Sequence, residues 1–195
     1  MGFPIRRAAA FRVQPAGSSP AMAQACASRY SVAMDRRSLY DDDIYAWAQQ
    51  QAEVLRRLAE TGRDLPNELD LENVAEEIED VGKSELREVE SFIRLMFIHL
   101  IKAASAPEAR SYRKWEKEIR VLRADLLKNL TRSMQAMIDV NYEWKLAAIR
   151  ADADLSDHGD QLLPELPAES PFSLDDLIGE SFDFEKAVAQ IRKRD

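Results

Sequence analysis

Apolar residues recur every three or four positions along most of the chain between residues 39 and 155, which is the spacing of one face of an α-helix. The pattern divides into four long segments, at about residues 41–61, 71–106, 112–130 and 134–155. No segment shows the two-residue alternation and β-branched enrichment that are typical of strands. The sequence therefore predicts an all-α fold, a compact bundle of about four main helices with a C-terminal helical extension.

The first predicted helix has polar signals at both ends. Asp41 or Asp42 is expected to cap its N-terminus, and Gly62 to end it. Its predicted apolar face consists of Ile44, Trp47, Gln51, Leu55 and Leu58.

The second predicted helix carries the longest apolar stripe. The stripe contains Leu71, Val74, Ala75, Ile78, Val81, Val89, Phe92, Ile93, Met96 and Leu100. Gly82 lies in the same stripe, which leaves three interpretations open: a kink, a helix break after which Ser84 caps a new helix, or a close approach of another backbone.

The third and fourth helices are predicted to be adjacent or joined by a bend. The third presents an apolar side made of Trp115, Ile119, Leu122, Leu126 and Leu130, and an opposite basic face made of Arg113, Lys117 and Arg120. The fourth offers for burial Met137, Ile138, Tyr142, Trp144, Leu146 and Ile149.

The remainder of the chain differs from the bundle in composition. Residues 156–195 begin with a linker rich in Pro, Gly and Ser that we expect to drape across the bundle. Short helices follow it: Ser173 and Asp176 form the pattern of a capping box, and Asp183 is a second N-cap candidate. We predict that these helices pack on a bundle domain at residues 39–155.

Charge separates an N-terminal extension from this domain. Residues 1–38 hold six arginines and one aspartate, a net charge of +5, so the chain's −8 leaves −13 for the rest. This acid-poor stretch is typical either of an organellar transit peptide or of translated upstream sequence before a true start at Met34. We predict that it is disordered or mis-annotated and takes no part in the fold.

Composition also bears on the cellular compartment and on membrane insertion. The single cysteine, Cys26, excludes an internal disulfide and a zinc–thiolate cluster, and fits a reducing, cytoplasmic compartment. The longest apolar run is interrupted by Arg94 and His99, so no membrane-spanning helix is predicted.

The carboxylates of the second helix fall on different sides. Glu72, Glu76 and Glu79 are predicted to be solvated, because they lie opposite the apolar stripe, with Lys83 four residues after Glu79. Glu85 falls inside the stripe, where an ionised carboxylate without a partner is destabilising. It is therefore paired with a cation, exposed by a break at Gly82, or functional, and Glu77 and Glu88 lie at the stripe's edge.

His99 is the other candidate on this helix. It lies 14 residues after Glu85, about 21 Å along a straight helix, so the two cannot share a site. We expect its ring to bond a carbonyl or hydroxyl group, with a ligand or general-base role as the alternative. A di-iron site would need a glutamate three residues earlier, where Met96 stands.

Signatures of catalysis and of cofactor binding are missing from the sequence. There is no cysteine after residue 38, no glycine-flanked serine and no phosphate-binding glycine loop. We predict no catalytic residue, no metal and no cofactor. Nucleic-acid binding rests on the basic face of Arg113, Lys117 and Arg120, and the charge of −13 opposes it.

Four stretches resemble one known family. They are “YDDDIYAWAQQQAEVLR”, “LDLENVAEEIEDVGKSELREVESFIRLMFIHLIK”, “WEKEIRVLRADL” and “SPFSLDDLIGE”. Together they resemble the bacterial family called domain of unknown function number 29, over about residues 39–180. The resemblance implies a compact all-α bacterial domain and no particular reaction. It also places in the family's characteristic motifs Glu72, Glu76, Glu77, Gly82, His99 and Lys102.

These observations favour a non-catalytic protein-interaction or regulatory module that self-associates or binds a protein partner. The alternative is an enzyme or metal binder that uses Glu77, Glu85 or His99, with Lys102 nearby. A further alternative is a nucleic-acid-binding accessory protein that uses the basic third helix.

Overall fold

A computed structural model describes residues 39–61, 65–66 and 68–193 of the chain. Its helices are α1 (Ile44–Thr61), α2 (Leu71–Ser105), α3 (Tyr112–Asn129), α4 (Arg132–Gln135), α5 (Val140–Ser156), α6 (Leu174–Ile178) and α7 (Phe184–Ile191). That part of the chain contains no strand, so the all-α prediction is confirmed. The predictions for residues 1–38 and for Gly62 lie outside the described residues.

Helix α2 is the central element, with 35 residues and a length of about 52 Å. It packs against α1, α3, α5 and α7. It runs without interruption through Gly82, so the predicted break and the cap at Ser84 are wrong. A Cβ at residue 82 would lie 2.9 Å from the Cβ of Ala48, which confirms the interpretation of a close approach.

The two halves of α2 are buried to different extents. From Val89 onward most of its apolar residues are buried on several sides by the surrounding helices. In the first half, Leu71, Ala75 and Gly82 are buried, whereas Val74 and Val81 are exposed. Burial of these two valines was predicted from the stripe, and it is wrong because none of the helices in the described part of the chain covers that side.

The region after α3 also departs from the prediction. Trp115, Ile119 and Leu126 are buried as expected. The short helix α4 and a turn then separate α3 from α5, so a helix starting at Met134 is wrong. The buried face of α5 is made of Glu143, Trp144, Ala147, Ala151 and Leu155, whereas Met137, Tyr142 and Ile149 are exposed.

The carboxylate of Asp43, rather than Asp41 or Asp42, caps α1. It accepts a hydrogen bond from the backbone N–H of Ala46 at 3.0 Å. It also accepts bonds from the hydroxyls of Thr131 and Ser133 and from the Ser133 N–H, which ties the start of α1 to that of α4. Burial opposes ionisation of this carboxyl, but these hydrogen bonds outweigh it and lower the Asp43 pKa.

The segment after α5 packs along the bundle. The indole N–H of Trp144 donates to the Pro167 carbonyl at 2.8 Å. Arg123 donates to the carbonyls of Leu177, Ile178 and Gly179 and so binds the C-terminal end of α6. Six side chains of this segment are buried: Phe172, Leu177, Phe184, Ala187, Val188 and Ile191. The predicted capping box of Ser173 with Asp176 and the cap at Asp183 are confirmed.

Candidate functional site

The first half of α2 packs mainly against α1, because the other long helices end before they reach it. His99 faces Glu118, and Leu95 shares a groove with Leu122, so α2 and α3 run antiparallel. At equal rise per residue, Asn129 at the end of α3 falls opposite about residue 88 of α2. Helix α5 begins near Arg94, which its Glu143 binds. Residues 71–87 and α1 therefore form a two-helix hairpin.

One side of this hairpin is polar. Arg56 of α1 binds Glu79 of α2, whose other oxygen lies 3.0 Å from Lys83. Hydrogen bonds from both cations hold the pKa of Glu79 below its usual value. The predicted pair with Lys83 is confirmed, but Glu79 is partly covered by α1 instead of being fully solvated.

The opposite side of the hairpin is apolar and uncovered. Positions around each helix follow from a rotation of about 100° per residue. In α1, Val54 and Leu58 lie on the opposite side of the buried Ala52 from Arg56. In α2, Val74 and Val81 lie on the opposite side of the buried Ala75 from Glu79. Since Arg56 and Glu79 share a side, these four residues share the other. Their exposed fractions are 38%, 39%, 40% and 45% in chain order. We call this surface the hairpin face: Val54, Leu58, Val74 and Val81.

Three carboxylates border the α2 side of the hairpin face. Glu77 and Glu88 are exposed, and Glu85 is half-buried between Val81 and Val89. Within the described residues, none of the three is joined to a cation by an ion pair. The continuous helix excludes the explanation that a break at Gly82 exposes Glu85.

His99 lies at the other end of α2, beside an apolar groove. Its Nε2 lies 3.2 Å from Glu118 Oε2, so its partner is a carboxylate and the predicted carbonyl or hydroxyl partner is wrong. Its Nδ1 is buried and has no hydrogen-bond partner in the described structure. This arrangement suits the neutral ring with its proton on Nε2. The groove is lined by Leu95, Lys117, Glu118, Val121 and Leu122.

This environment predicts a pH dependence of stability that depends on His99. Burial lowers the pKa of His99 below its usual 6.5, although the carboxylate of Glu118 opposes the shift. The unfolded chain therefore binds a proton that the folded chain excludes, and stability should fall as pH decreases from 6.5 toward the folded pKa. Urea titrations between pH 7.5 and 5.5 should show this loss.

Two substitutions test whether this pH dependence of stability comes from His99 or from other titrating groups. His99→Leu should flatten the loss between pH 7.5 and 5.5. His158→Leu should leave it in place, because His158 is exposed at the end of α5. An unchanged slope in His99→Leu would assign the effect to carboxylates instead.

Lys102 lies one turn beyond His99 and is 13% exposed. Its Nζ donates to Asp154 Oδ2 at 3.0 Å and lies 5.4 Å from the centre of the Trp115 ring. Asp154 also accepts a bond from Arg150. Burial opposes ionisation of Asp154, but the two cations lower its pKa. Lys102 therefore joins α2, α3 and α5.

A buried ion pair between α2 and α5 was not predicted. Arg94 donates to both oxygens of Glu143, with Nε to Oε2 at 2.6 Å and Nη2 to Oε1 at 3.2 Å. The Glu143 side chain is 2% exposed and that of Arg94 36%. The sequence gives one indication of this ion pair: Arg94 stands inside the apolar run that follows Phe92, and an arginine there needs a carboxylate partner.

The basic face of α3 is largely compensated by neighbouring acids. Arg113 and Arg120 both bind Glu116, and Arg113 also approaches Glu185 at 3.6 Å. Lys117 lies at the groove near His99. These pairs compensate the charges of Arg113 and Arg120, two of the three cations that the basic face was predicted to contain.

The described residues lack two further features. They contain no cluster of three or more His, Cys, Asp or Glu side chains arranged to hold a metal ion. None of their helices combines the length and the apolar character that crossing a bilayer requires.

Comparisons with known proteins agree with this fold. The family model described as “Domain of unknown function DUF29” matches residues 39–183. A crystal structure described as an alpha-helical protein of unknown function from Rhodospirillum rubrum ATCC 11170 is 39% identical, with a TM-score of 0.73. The match covers 79% of this chain and 98% of that one. No curated protein matches the chain.

Proposed function

Because the chain belongs to the DUF29 family, whose description names no activity, we propose a function from its own surface. We propose that it is a non-catalytic protein-interaction module of the cytoplasm. Its hairpin face binds an amphipathic, basic helix of another protein. The absence of cysteine from residues 39–195 supports a reducing compartment.

The asymmetry of the hairpin is the observation that carries the proposal. A pair of helices exposed to solvent on both sides would be expected to carry polar residues on both. Here one side holds the Arg56–Glu79–Lys83 ion pairs, and the other holds four exposed aliphatic side chains. Exposed apolar residues that cluster in this way mark interaction surfaces.

The shape of the surface favours a helix as the occupant. Helix α3 packs on α2 up to about residue 88, and the hairpin face begins beyond that point on the same side of α2. A docked helix would continue the line of α3 and pack in the groove between α1 and α2. The uncovered length, residues 71–87, corresponds to about 25 Å, or roughly five helical turns.

Charge determines which helix fits. The carboxylates of Glu77, Glu85 and Glu88 form no ion pair in the described structure, so a partner with lysine or arginine at its flanks would neutralise them. A symmetric contact with a second copy would instead bring two such carboxylate rows together. The pattern therefore favours a basic partner over self-association.

Binding of two synthetic helical peptides tests the proposal. Both peptides have 18 residues and carry leucine at the apolar heptad positions. The positions that flank the leucines are all lysine in the first peptide and all glutamate in the second. We expect the lysine peptide to bind at least tenfold more tightly, which is about 1.4 kcal/mol. Hydrogen exchange should show protection confined to residues 44–58 and 71–88.

Matched variants locate the contact. Leu58→Ser combined with Val81→Ser should abolish binding of the lysine peptide without unfolding the chain, since both side chains are exposed. Glu85→Lys should reverse the preference between the peptides, whereas Glu76→Lys, on the solvated side, should not. Equal binding of both peptides, or a dimer that Val81→Ser dissociates, would contradict the proposed partner.

A further inference from the structure

A cavity with both charged and apolar lining residues lies where α2 ends, α3 begins and α5 ends. Its volume is about 330 Å³, large enough for a small metabolite. Trp115 forms an apolar part of its wall, and charged side chains form most of the rest. At 1.5 Å per residue, Lys102 in its wall is about 32 Å along α2 from Val81 of the hairpin face, so the two surfaces are separate.

Three cations converge on this cavity: Lys102, Arg110 and Lys114. Arg110 forms no ion pair with another described residue. Lys114 is only loosely paired, since its Nζ lies 3.6 Å from Glu118. Lys102 is fixed in place by Asp154 and the Trp115 ring. The Ser111 hydroxyl adds a donor that makes no capping bond.

The acids of the cavity leave this positive charge partly uncompensated. Asp154 is shared between Lys102 and Arg150 and is therefore neutralised within the protein. Asp160 is the other carboxylate of the wall, so the three lining cations exceed the two lining acids by one. Arg110, which has no ion-pair partner in the described structure, and Lys114, which is only loosely held by Glu118, can both bind an added oxyanion.

We propose that this cavity binds a free small molecule that carries an oxyanion, either a carboxylate or a phosphate. Arg110, Lys114 and the Ser111 hydroxyl hold the oxyanion. The body of the ligand lies against Trp115, and Asp160 accepts a hydrogen bond from any hydroxyl or ammonium group that the ligand carries. Residues 39–195 carry a net charge of −13, so a locally cationic cavity favours the approach of such a ligand.

Titration of the full chain with inorganic phosphate tests this site. Ionic strength is held constant with chloride, so that general screening is the same at every point. The melting temperature should rise by roughly 3 °C when phosphate is at ten times its Kd. Arg110→Gln combined with Lys114→Gln should weaken phosphate binding at least tenfold. The matched control is Lys117→Gln combined with Lys128→Gln. It removes two exposed cations of α3 that lie outside the cavity, and it should leave phosphate binding unchanged.

Each outcome decides between the proposal and an alternative. An equal loss of binding in both double variants would show a general charge effect and overturn the site. No response to phosphate and none to acetate would also overturn it. Binding to vesicles that contain phosphatidic acid, without binding of free phosphate, would identify a lipid headgroup and contradict a free small-molecule ligand. Since the peptide experiment does not involve this cavity, either proposal can fail alone.

Discussion

Replacing Arg94 with methionine is expected to lower the free energy of unfolding by about 3 kcal/mol. The substitution leaves the Glu143 carboxylate, which is 2% exposed, without the bidentate partner that now satisfies both of its oxygens. Removing one member of a buried pair costs about 3–5 kcal/mol, and partial exposure of Arg94 places the expectation at the lower end. Urea titration at pH 7 measures the change.

A double variant separates the effect of an unpaired buried charge from the effect of lost side-chain packing. In the double variant Arg94→Met, Glu143→Met, no buried carboxylate remains, and stability should recover by about 2 kcal/mol or more. Glu143→Met alone should be milder than Arg94→Met alone, because the remaining Arg94 is 36% exposed and can reach water. A double variant as unstable as Arg94→Met would mean that lost packing, rather than the stranded charge, is responsible.

Replacing Gly82 with leucine is expected to cost about 3 kcal/mol and to separate α1 from α2. A Cβ at residue 82 would lie 2.9 Å from Ala48 Cβ and 3.4 Å from the Tyr45 carbonyl oxygen, so there is no room for a side chain. Overpacking of this kind costs about 1–3 kcal/mol, and the backbones of both helices would have to move. Hydrogen exchange should accelerate in residues 44–61 and much less in α3 and α5.

Moving a methyl group between the helices gives the matched control. Gly82→Ala combined with Ala48→Gly keeps the number of carbons and removes the 2.9 Å contact, and the change in helix propensity is about equal and opposite at the two positions. This swap should lie within about 1 kcal/mol of the parent. If Gly82→Leu destabilises all helices equally, the hairpin is not a separate unit of stability.

The sequence pattern predicted where helices occur better than which of their residues are buried. Helix α3 has a polar side and an apolar side, and three of the five residues predicted for its apolar side, Trp115, Ile119 and Leu126, are buried, while Leu122 and Leu130 are partly buried. In α5, Glu143 was not among the residues predicted for burial, although it is the most buried charged group of the described residues. The predicted set included Met137 and Ile149 instead, because an apolar pattern gives no reason to place a carboxylate in the core. The arginine that compensates it lies 49 residues earlier, at a distance that periodicity does not report.

For the candidate functional residues, too, their position on a helix was predicted better than their burial. The stripe that contains Val74, Val81 and Glu85 was recognised, but a stripe does not tell how far a covering helix extends. Helix α3 ends too early to cover it, and that depends on tertiary packing. Gly82 was likewise placed in the stripe with three open interpretations, because Ala48 on a separate helix decides among them.

Hydrogen bonds between distant segments were the least accessible to prediction. Asp41, Asp42 and Asp43 are adjacent and equally suited to capping by type, and only the position of Ser133 selects Asp43. His99 was expected to bond a carbonyl or hydroxyl group. The actual partner, Glu118, belongs to a helix whose register against α2 is set by packing.

The position of α6 and α7 in the core has a consequence for how the chain folds during its synthesis. Phe172, Leu177, Phe184, Val188 and Ile191 fill the interior beside α2, yet they are made up to about a hundred residues later. Until they leave the ribosome, the apolar surfaces of α2 and α3 beneath them stay open, and such surfaces are prone to aggregation. The α1–α2 hairpin is local and can form first, so a nascent chain would hold a finished hairpin beside an unclosed core.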